Sequence, residues 1–341
     1  MKAIRLNELG GPENLRFEDL PEPEPGPGEV VVRLHNAALN RRDVFVTRGQ
    51  YPGAKPDALP VTLGSDGSGE VVARGDGADG VSEGTEGTEV VINPALHWGE
   101  DPRVPGKEYR ILGLPDDGTF AQFVKAPADH VLPKPSHLSH AEAAAIPLAA
   151  LTAYRALVTR GELQAGETVV IPGIGGGVAT FLVQIASALG ATVFVTSGSD
   201  EKIEKAKELG AEGGVNYNAE NWSKELRGMT GGVDLSVDSI GGEVFDALVT
   251  IAKPGGRVVS FGATAGPVEK LVLPKIFLKQ LEVRGTAMGT AEEFGAMLDL
   301  YAEKDLHPAI NETFPLEEAT AAMNHMEEGS GIGKIVLEIP A

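Results

Sequence analysis

Residues 168–202 read TVVIPGIGGGVATFLVQIASALGATVFVTSGSDEK, and this stretch decides the fold class. A short β-branched run leads into Gly173, Gly175, Gly176 and Gly177. An apolar helix-like run follows, and a second β-branched run begins about 20 residues later. Backbone N–H groups at a helix start can approach a pyrophosphate only where side chains are absent. The stretch therefore predicts a dinucleotide site, with a purely structural glycine turn in another α/β protein as the alternative.

The end of the second predicted strand bears on the choice of cofactor. An NAD site places an acidic residue there, which accepts a hydrogen bond from the ribose 2′-hydroxyl. This chain has Thr-Ser-Gly-Ser at 196–199, followed by Lys202. Small hydroxyl residues leave room for a 2′-phosphate and Lys202 would neutralise it, so we predict NADP, bound as NADPH. Alternatives stay open for two residues. Asp200 either reaches the ribose or caps the next helix, and Lys202 either neutralises the phosphate or is a solvated helix residue.

Composition narrows the class of protein. A chain of 341 residues suits two domains, and 42% hydrophobic with 23% charged residues is ordinary soluble composition. The 49 acidic residues against 29 basic ones repel phosphate backbones and anionic lipid. We therefore expect a small-molecule substrate, with neither nucleic acid nor membrane as a partner. The start MKAIRLNELGGPENLRF lacks the apolar core of a signal peptide, so we expect a cytoplasmic protein.

The pattern along the chain predicts an α/β protein with two domains. Residues 1–124 hold short β-branched runs such as EVVVRLHNAALN and GEVVARG, and RGDGADGVSEGTEGTE at 74–89 is predicted as a surface loop between strands. From 125 to 290, strand and helix patterns alternate, as in a doubly wound parallel sheet. Pro147 should break or kink the alanine-rich helix that contains it. Residues 291–304 are predicted as a helix, and the tail is predicted to return through a glycine turn to a strand.

Ordered motifs over almost the whole chain carry a family resemblance. They include PGPGEVVVRL, ALNRRDVFVTRGQYP, TLGSDGSGEV, IPLAALTAYRAL, GIGGGVATF, KPGGRVVSFGA and GKIVLEI. The chain resembles the medium-chain dehydrogenase/reductase superfamily, most closely its zinc-independent, quinone-oxidoreductase-like branch. The resemblance implies a GroES-like β domain (1–124 and 291–341), a Rossmann NAD(P)-binding domain (125–290) and an active site in a cleft.

The same resemblance implies that catalytic zinc is absent. Relatives that hold zinc use cysteine and histidine or glutamate, and the corresponding positions here are Asn40, the Ser65–Asp66 pair and Leu148. The chain has no cysteine, and the lobe that holds a structural zinc in relatives contains only His97, which we interpret as a surface or packing residue. Asp43 and Asp66 are the remaining candidate cation ligands. We therefore expect no metal.

Loss of zinc changes the expected chemistry. Zinc polarises an alcohol oxygen, whereas a quinone or α,β-unsaturated carbonyl is already electrophilic and needs mainly positioning and a hydrogen-bond donor. We therefore predict an NADPH-dependent reductase of such acceptors. An alcohol or aldehyde oxidoreductase of the same superfamily is one alternative, and a non-catalytic NADPH-binding sensor or structural protein is another.

The resemblance supplies candidate catalytic residues. Asn40 would donate to a substrate carbonyl or serve as a turn residue, and Tyr51 would donate a hydrogen bond or pack in the acceptor pocket. Asp43 and Asp66 would organise the site by pairing with arginine at 41 or 42, since a role as proton donor requires pKa values raised by about two or three units. Thr152 would bond the nicotinamide carboxamide or be a plain helix residue.

The resemblance also supplies cofactor contacts and a partner. The residues expected at the pyrophosphate are Gly173, Gly176, Gly177 and Val178. Those expected at the 2′-phosphate are Ser197, Lys202 and Tyr217. Those expected at the ribose and nicotinamide are Ile240, Gly262, Ala263 and Met288. Lys334 would approach the cofactor or face water at a strand end. The last strand of the sheet, LEVRGTAMG, would be an open edge that pairs with a second copy in a homodimer.

Overall fold

A computed structural model describes residues 1–78, 87–329 and 331–341. Half of the glycine-rich segment predicted as a loop at 74–89, residues 79–86, lies outside the described residues. Among those that are described, no helix is both long enough and apolar enough to cross a bilayer.

The secondary structure alternates between β-rich and α/β regions. The strands are β1 (Lys2–Leu6), β2 (Leu15–Asp19), β3 (Glu29–Ala38), β4 (Val61–Thr62), β5 (Asp66–Arg74), β6 (Glu89–Ile92), β7 (Ala95–Leu96), β8 (Arg110–Ile111), β9 (Phe123–Pro127), β10 (Val131–Pro133), β11 (Thr168–Ile171), β12 (Thr192–Ser197), β13 (Gly213–Asn216), β14 (Val233–Asp238), β15 (Ala252–Ser260), β16 (Glu282–Gly285), β17 (Ile310–Pro315) and β18 (Lys334–Glu338). The helices are α1 (Arg41–Thr47), α2 (His140–Ala145), α3 (Pro147–Tyr154), α4 (Gly177–Ala188), α5 (Asp200–Glu208), α6 (Trp222–Thr230), α7 (Gly242–Ile251), α8 (Leu273–Phe277), α9 (Ala291–Glu303) and α10 (Ala319–Glu328).

The chain divides into two compact units. Unit 1 comprises Met1–Leu151, Gly289–Ser330 and Lys334–Ala341, and unit 2 comprises Thr152–Met288 and Gly331–Gly333. The division after Leu151 falls later than the boundary predicted at 124, because β9 pairs with β3 and β10 pairs with β6 in the sheet of unit 1. In the sequence, β9 and β10 have the same apolar pattern as the strands that follow them, so the pattern alone does not assign them to unit 1.

Unit 1 is built around the long strand β3. Its valines and leucine at 30–34 are buried, and the sheet runs β10-β6-β5-β3-β18-β17 with β9 also paired to β3. The last strand, β18, pairs antiparallel with β3, with Val336 opposite Ala38. The tail therefore completes the core of the N-terminal sheet. β17 was not predicted, because it is a half-exposed edge strand whose polar residues conceal its period.

Unit 2 contains a parallel six-stranded sheet in the order β13-β12-β11-β14-β15-β16. The order reverses direction at β11, which is the arrangement of a doubly wound sheet, so the predicted Rossmann fold is confirmed. The carboxyl ends of β11, β12, β14 and β15 lie at the same edge because the strands are parallel. β16 forms one lateral edge of this sheet, as predicted.

Pro147 acts as the sequence predicts. The alanine-rich segment is two helices, α2 ending at Ala145 and α3 beginning at Pro147. Proline is tolerated in the first turn of a helix, where its missing N–H would have no partner in any case. The break places the backbone N–H of Leu148 at the start of α3, where it donates to Asp66 Oδ1 over 2.8 Å.

Candidate active site

The glycine turn of unit 2 presents open backbone at a helix start. Gly173 and Gly175 have φ of 73° and 136°, a region that favours glycine. Gly176 precedes α4, and a methyl group added there would have no neighbour within 4 Å. The first N–H groups of α4, including those of Gly177 and Val178, have no acceptor within the helix. This geometry suits an anionic pyrophosphate.

Lys202 lies beside this turn. Its side chain extends from α5, and a methyl group added at Gly175 would lie 3.2 Å from Lys202 Nζ and 3.3 Å from its Cδ. The side chain is half-buried, so it is not a fully solvated helix residue. The structure therefore brings a positive charge to the glycine turn.

Strand β12 ends at Ser197 and contains no acidic residue. Ser197 is buried, and its hydroxyl accepts from Ser199 N over 3.2 Å. Ser199, and not Asp200, caps α5 with its side chain. Asp200 Oδ1 accepts a hydrogen bond from Asn216 Nδ2 over 2.9 Å. The sequence analysis did not identify Asn216, although it directly precedes Tyr217. The hydroxyl oxygen of Tyr217 would be 2.8 Å from a methyl group added at Gly198, so the tyrosine covers this turn.

The remaining predicted cofactor contacts in unit 2 form two groups. Ile240 Cδ1 would be 2.6 Å from a methyl group added at Gly173, and Ala263 packs near Gly241. Gly262 approaches the carbonyl oxygen of Ser239, where an added methyl group would lie at 2.9 Å. Separately, Thr152 Oγ1 lies 3.7 Å from Met288 Sδ, and both residues are buried. The structure thus pairs Ile240 with the glycine turn and Thr152 with Met288.

A buried polar cluster in unit 1 joins Asn40, Asp66 and Lys334. Lys334 Nζ donates to Asn40 Oδ1 over 2.8 Å, to Asp66 Oδ2 over 3.0 Å and to Leu39 O over 2.7 Å. Asn40 Nδ2 donates to the same Asp66 Oδ2 over 2.9 Å. Lys334 is only 3% exposed, so the structure corrects the expectation of a water-facing lysine. Its three N–H donors are all used inside unit 1, so we assign it to this cluster and not to the cofactor.

This cluster does not fit a zinc ion. Burial raises the pKa of Asp66, and the Lys334 ammonium and Asn40 amide oppose that rise by stabilising the carboxylate. The ammonium group of Lys334 already binds the oxygens of Asn40 and Asp66 that a metal would need as ligands. Ser65 Oγ donates to Leu112 O and accepts from Arg42, and Leu148 offers no ligand atom from its side chain. We therefore derive no step through zinc at this position.

Asp43 and Arg42 form a second buried pair beside it. Asp43 Oδ2 accepts from Asn40 N over 2.8 Å, and Arg42 Nη1 lies 3.9 Å from Asp43 Oδ1. Burial raises the pKa of Asp43 to about 6, against the lowering effect of Arg42. The Arg42 guanidinium stacks 4.7 Å from the centre of the Tyr51 ring, which gives Tyr51 a packing contact. A pKa of about 6 brings Asp43 close to the range that suits a proton donor at neutral pH.

Acidification should stabilise the protein through Asp43. Its folded pKa of about 6 lies above the ordinary value of 3.8, so the folded state holds a proton that the unfolded state has lost between those values. The resulting penalty develops as pH rises from about 4 to about 6 and amounts to at most roughly 3 kcal/mol. We expect Asp43→Asn to gain stability over wild type at pH 7 and to lose that advantage near pH 4, measured by urea denaturation. Parallel pH–stability curves for the two proteins would contradict this.

Comparisons with known proteins agree with this geometry. Residues 26–136 match a family model described as an alcohol dehydrogenase GroES-like domain, and residues 177–303 match one described as a zinc-binding dehydrogenase. The zinc-type alcohol dehydrogenase-like protein YogA of Leptosphaeria maculans is 35% identical over 95% of this chain and 94% of its own. A quinone oxidoreductase of Pseudomonas aeruginosa is 31% identical over 98% and 99%. A crystal structure of an NAD-dependent alcohol dehydrogenase has a TM-score of 0.93 at 40% identity, covering 100% of both chains.

The fold and the glycine turn define an oxidoreductase with a nucleotide-binding parallel sheet. The chain belongs to the medium-chain dehydrogenase/reductase superfamily. The predicted combination of a GroES-like domain with a Rossmann sheet is confirmed.

Proposed function

We propose that this protein is an NADPH-dependent reductase of quinones or α,β-unsaturated carbonyls that works without zinc. The observation that carries the proposal is the Lys334 ammonium bound between Asn40 and Asp66, 2.8 Å and 3.0 Å from their oxygens. A fixed organic cation there replaces the charge that a metal would bring. It cannot lower an alcohol pKa as zinc does, so an acceptor that is already electrophilic fits the site best.

In this proposal the residues of unit 1 position the acceptor. The side-chain amide of Asn40 carries two N–H donors, and one of them donates to Asp66. The second would donate to the acceptor carbonyl, whose oxygen gains negative charge as the carbon is reduced. Lys334 and Asp66 would fix the amide so that its donor points one way. Bound NADPH would supply the hydride, and a proton from Asp43 or from water would complete the reduction.

The residues that support NADPH over NADH lie in unit 2. Lys202 lies in the first turn of α5, directly after the end of β12, where its backbone N–H donates to Ser199 Oγ. The carboxylate of Asp200 is engaged by Asn216 over 2.9 Å. Ser197 and Tyr217 would complete a pocket for the 2′-phosphate. NADH is the alternative, since the similar alcohol dehydrogenase structure is called NAD-dependent.

We expect Lys202→Ala to weaken NADPH binding by about tenfold to a hundredfold, because a hydrogen bond to a charged group contributes about 1.5–3 kcal/mol. NADH affinity should change much less. Lys205→Ala is the matched control, since Lys205 lies on the same helix and pairs with Glu201 in solvent. Fluorescence titration measures the affinities of wild type and both variants for NADPH and for NADH. Equal losses for NADPH and NADH would place Lys202 at the pyrophosphate and contradict the 2′-phosphate assignment.

The reaction itself is tested with a substrate panel. Purified protein should oxidise NADPH in the presence of quinones and enones faster than with simple aldehydes. Alcohol or aldehyde turnover in either direction, with no quinone or enone reduction, would favour the second candidate. That candidate, an alcohol or aldehyde oxidoreductase, draws support from similar proteins that are called alcohol dehydrogenase or alcohol dehydrogenase-like. Cofactor binding without turnover of any acceptor would contradict both.

We further propose a homodimer formed through the edge of the unit 2 sheet. Among the described residues, β16 has a paired strand on one side only, and Val283 in it is 46% exposed. The adjoining helix α8 and the residue after it expose Leu273, Phe277 and Leu278, the last to 76%. An unpaired strand beside exposed apolar side chains is a surface that another copy can cover.

Charge placed on this edge should separate the copies. We expect the double variant Val283→Lys and Leu278→Glu to run as a monomer in light scattering, where wild type runs as a dimer. Phe17→Lys, an exposed apolar residue of unit 1, is the control and should leave the mass unchanged. A monomeric wild type, or a variant that remains dimeric, would contradict the proposal.

A further inference from the structure

Two histidines and an aspartate meet at a loop junction in unit 1. His137 lies between β10 and α2, while Asp305 and His307 lie between α9 and β17. One potential ligand atom from each lies within 4.8 Å of the other two. None of these residues belongs to the polar cluster around Asp66 or to the glycine turn.

The hydrogen bonds around the two imidazoles match those of a metal site. His307 Nδ1 lies 2.7 Å from Glu142 Oε1, and His137 Nε2 lies 3.1 Å from the carbonyl oxygen of Leu306. Both partners are acceptors, so each ring must place its proton on that nitrogen. In the neutral rings that a metal requires, the opposite nitrogens, His307 Nε2 and His137 Nδ1, carry the lone pairs. Metal-binding histidines are typically fixed in this way by a carboxylate or a carbonyl.

Glu142 is itself held in place. It is the third residue of α2, and its Oε2 accepts from the backbone N–H and the hydroxyl of Ser139 over 2.8 Å and 2.7 Å. The capping box therefore leaves Oε1 directed at His307. His307 Nε2 in turn lies 3.9 Å from Asp305 Oδ1, slightly more than the about 3.3 Å that separates two ligands of a tetrahedral zinc with 2.0–2.1 Å bonds. A rotation of the exposed Asp305 side chain would close this difference.

We propose that His137, Asp305 and His307 form a binding site for a divalent transition-metal ion, with Zn²⁺ as the ion that two imidazoles and a carboxylate suit best. Water would complete the coordination. The ion would join the segment entering α2 to the segment leaving α9, which are distant in sequence, and so would stabilise unit 1 as a structural cross-link. The site is independent of the proposed reaction.

The test is a calorimetric titration of metal-stripped protein with Zn²⁺. Wild type should bind one equivalent that His307→Ala loses. Glu142→Gln keeps a side chain able to form the capping box but loses the carboxylate, and should bind Zn²⁺ about 10–100-fold more weakly. Zn²⁺ should raise the unfolding temperature of wild type and not that of His307→Ala, while reductase activity stays unchanged in both.

His35→Ala is the matched control, because His35 stacks on His140 in a different histidine pair, with ring centres 4.3 Å apart. It should retain the Zn²⁺ equivalent in full. Absence of Zn²⁺ binding by wild type would overturn the proposal. So would equal binding by wild type and His307→Ala, or loss of the equivalent in His35→Ala alone.

Discussion

Replacement of Lys334 by methionine is expected to destabilise the protein by about 3–5 kcal/mol, because it leaves the buried Asp66 carboxylate without its cation. Lys334 is 3% exposed and makes three hydrogen bonds, so methionine fills the space but supplies no donor. The midpoint of urea unfolding measures the loss. The double variant Lys334→Met with Asp66→Asn should lose less, since it removes both charges together.

Lys125→Met is the matched control for this effect. Lys125 pairs with Glu29 over 3.0 Å at the surface, where ion pairs contribute about 1 kcal/mol or less. If Lys334→Met were no more destabilising than Lys125→Met, Lys334 would not be holding a buried carboxylate. The organisation assigned to Asn40 would then also be wrong.

Replacement of Asn40 by serine is expected to lower kcat with a quinone acceptor by about a hundredfold or more, the typical cost of removing one donor to a developing oxyanion. Serine remains a good residue before a helix, so α1 should keep its start. The KM for NADPH should stay near the wild-type value, because Asn40 is assigned to the acceptor.

Asn36→Ser provides the matched control for this substitution. Asn36 lies on β3 and donates to Leu337 O over 3.3 Å, away from the Asp66 cluster. Its replacement should leave kcat within a few-fold of wild type. Equal kcat values for Asn40→Ser and wild type would show that the amide does not bind the acceptor.

Much of the fold follows from local sequence signals. The glycine turn at 173–177, the alternation after it and the break at Pro147 all depend on residues close together in the chain, so the sequence predicts them. β17 was missed because an edge strand with polar residues has no clear period. The predicted domain boundary at 124 lies earlier than the division observed after Leu151. Only the pairing of β9 with β3 and of β10 with β6 assigns the intervening segment to unit 1.

The candidate site was less accessible to sequence reasoning. Asn40, Asp43 and Asp66 lie in motifs that the family resemblance identifies. The partner of Asp66 is Lys334, which is 268 residues away and reaches it only because β18 returns to β3. A lysine at the start of a strand carries no signal for such burial. The hydrogen bond from Asn216 to Asp200 was likewise set by tertiary structure.

The most direct test of the central claim is the rate of NADPH oxidation with a quinone before and after removal of metal by a chelator. The experiment is run in parallel on His307→Ala, so that any ion at the separate histidine site does not enter the comparison. Zinc-free chemistry predicts the same rate before and after chelation, with no gain on adding Zn²⁺. Loss of the rate on chelation and its return with Zn²⁺ in both proteins would contradict the account and require a metal beside Asp43 and Asp66.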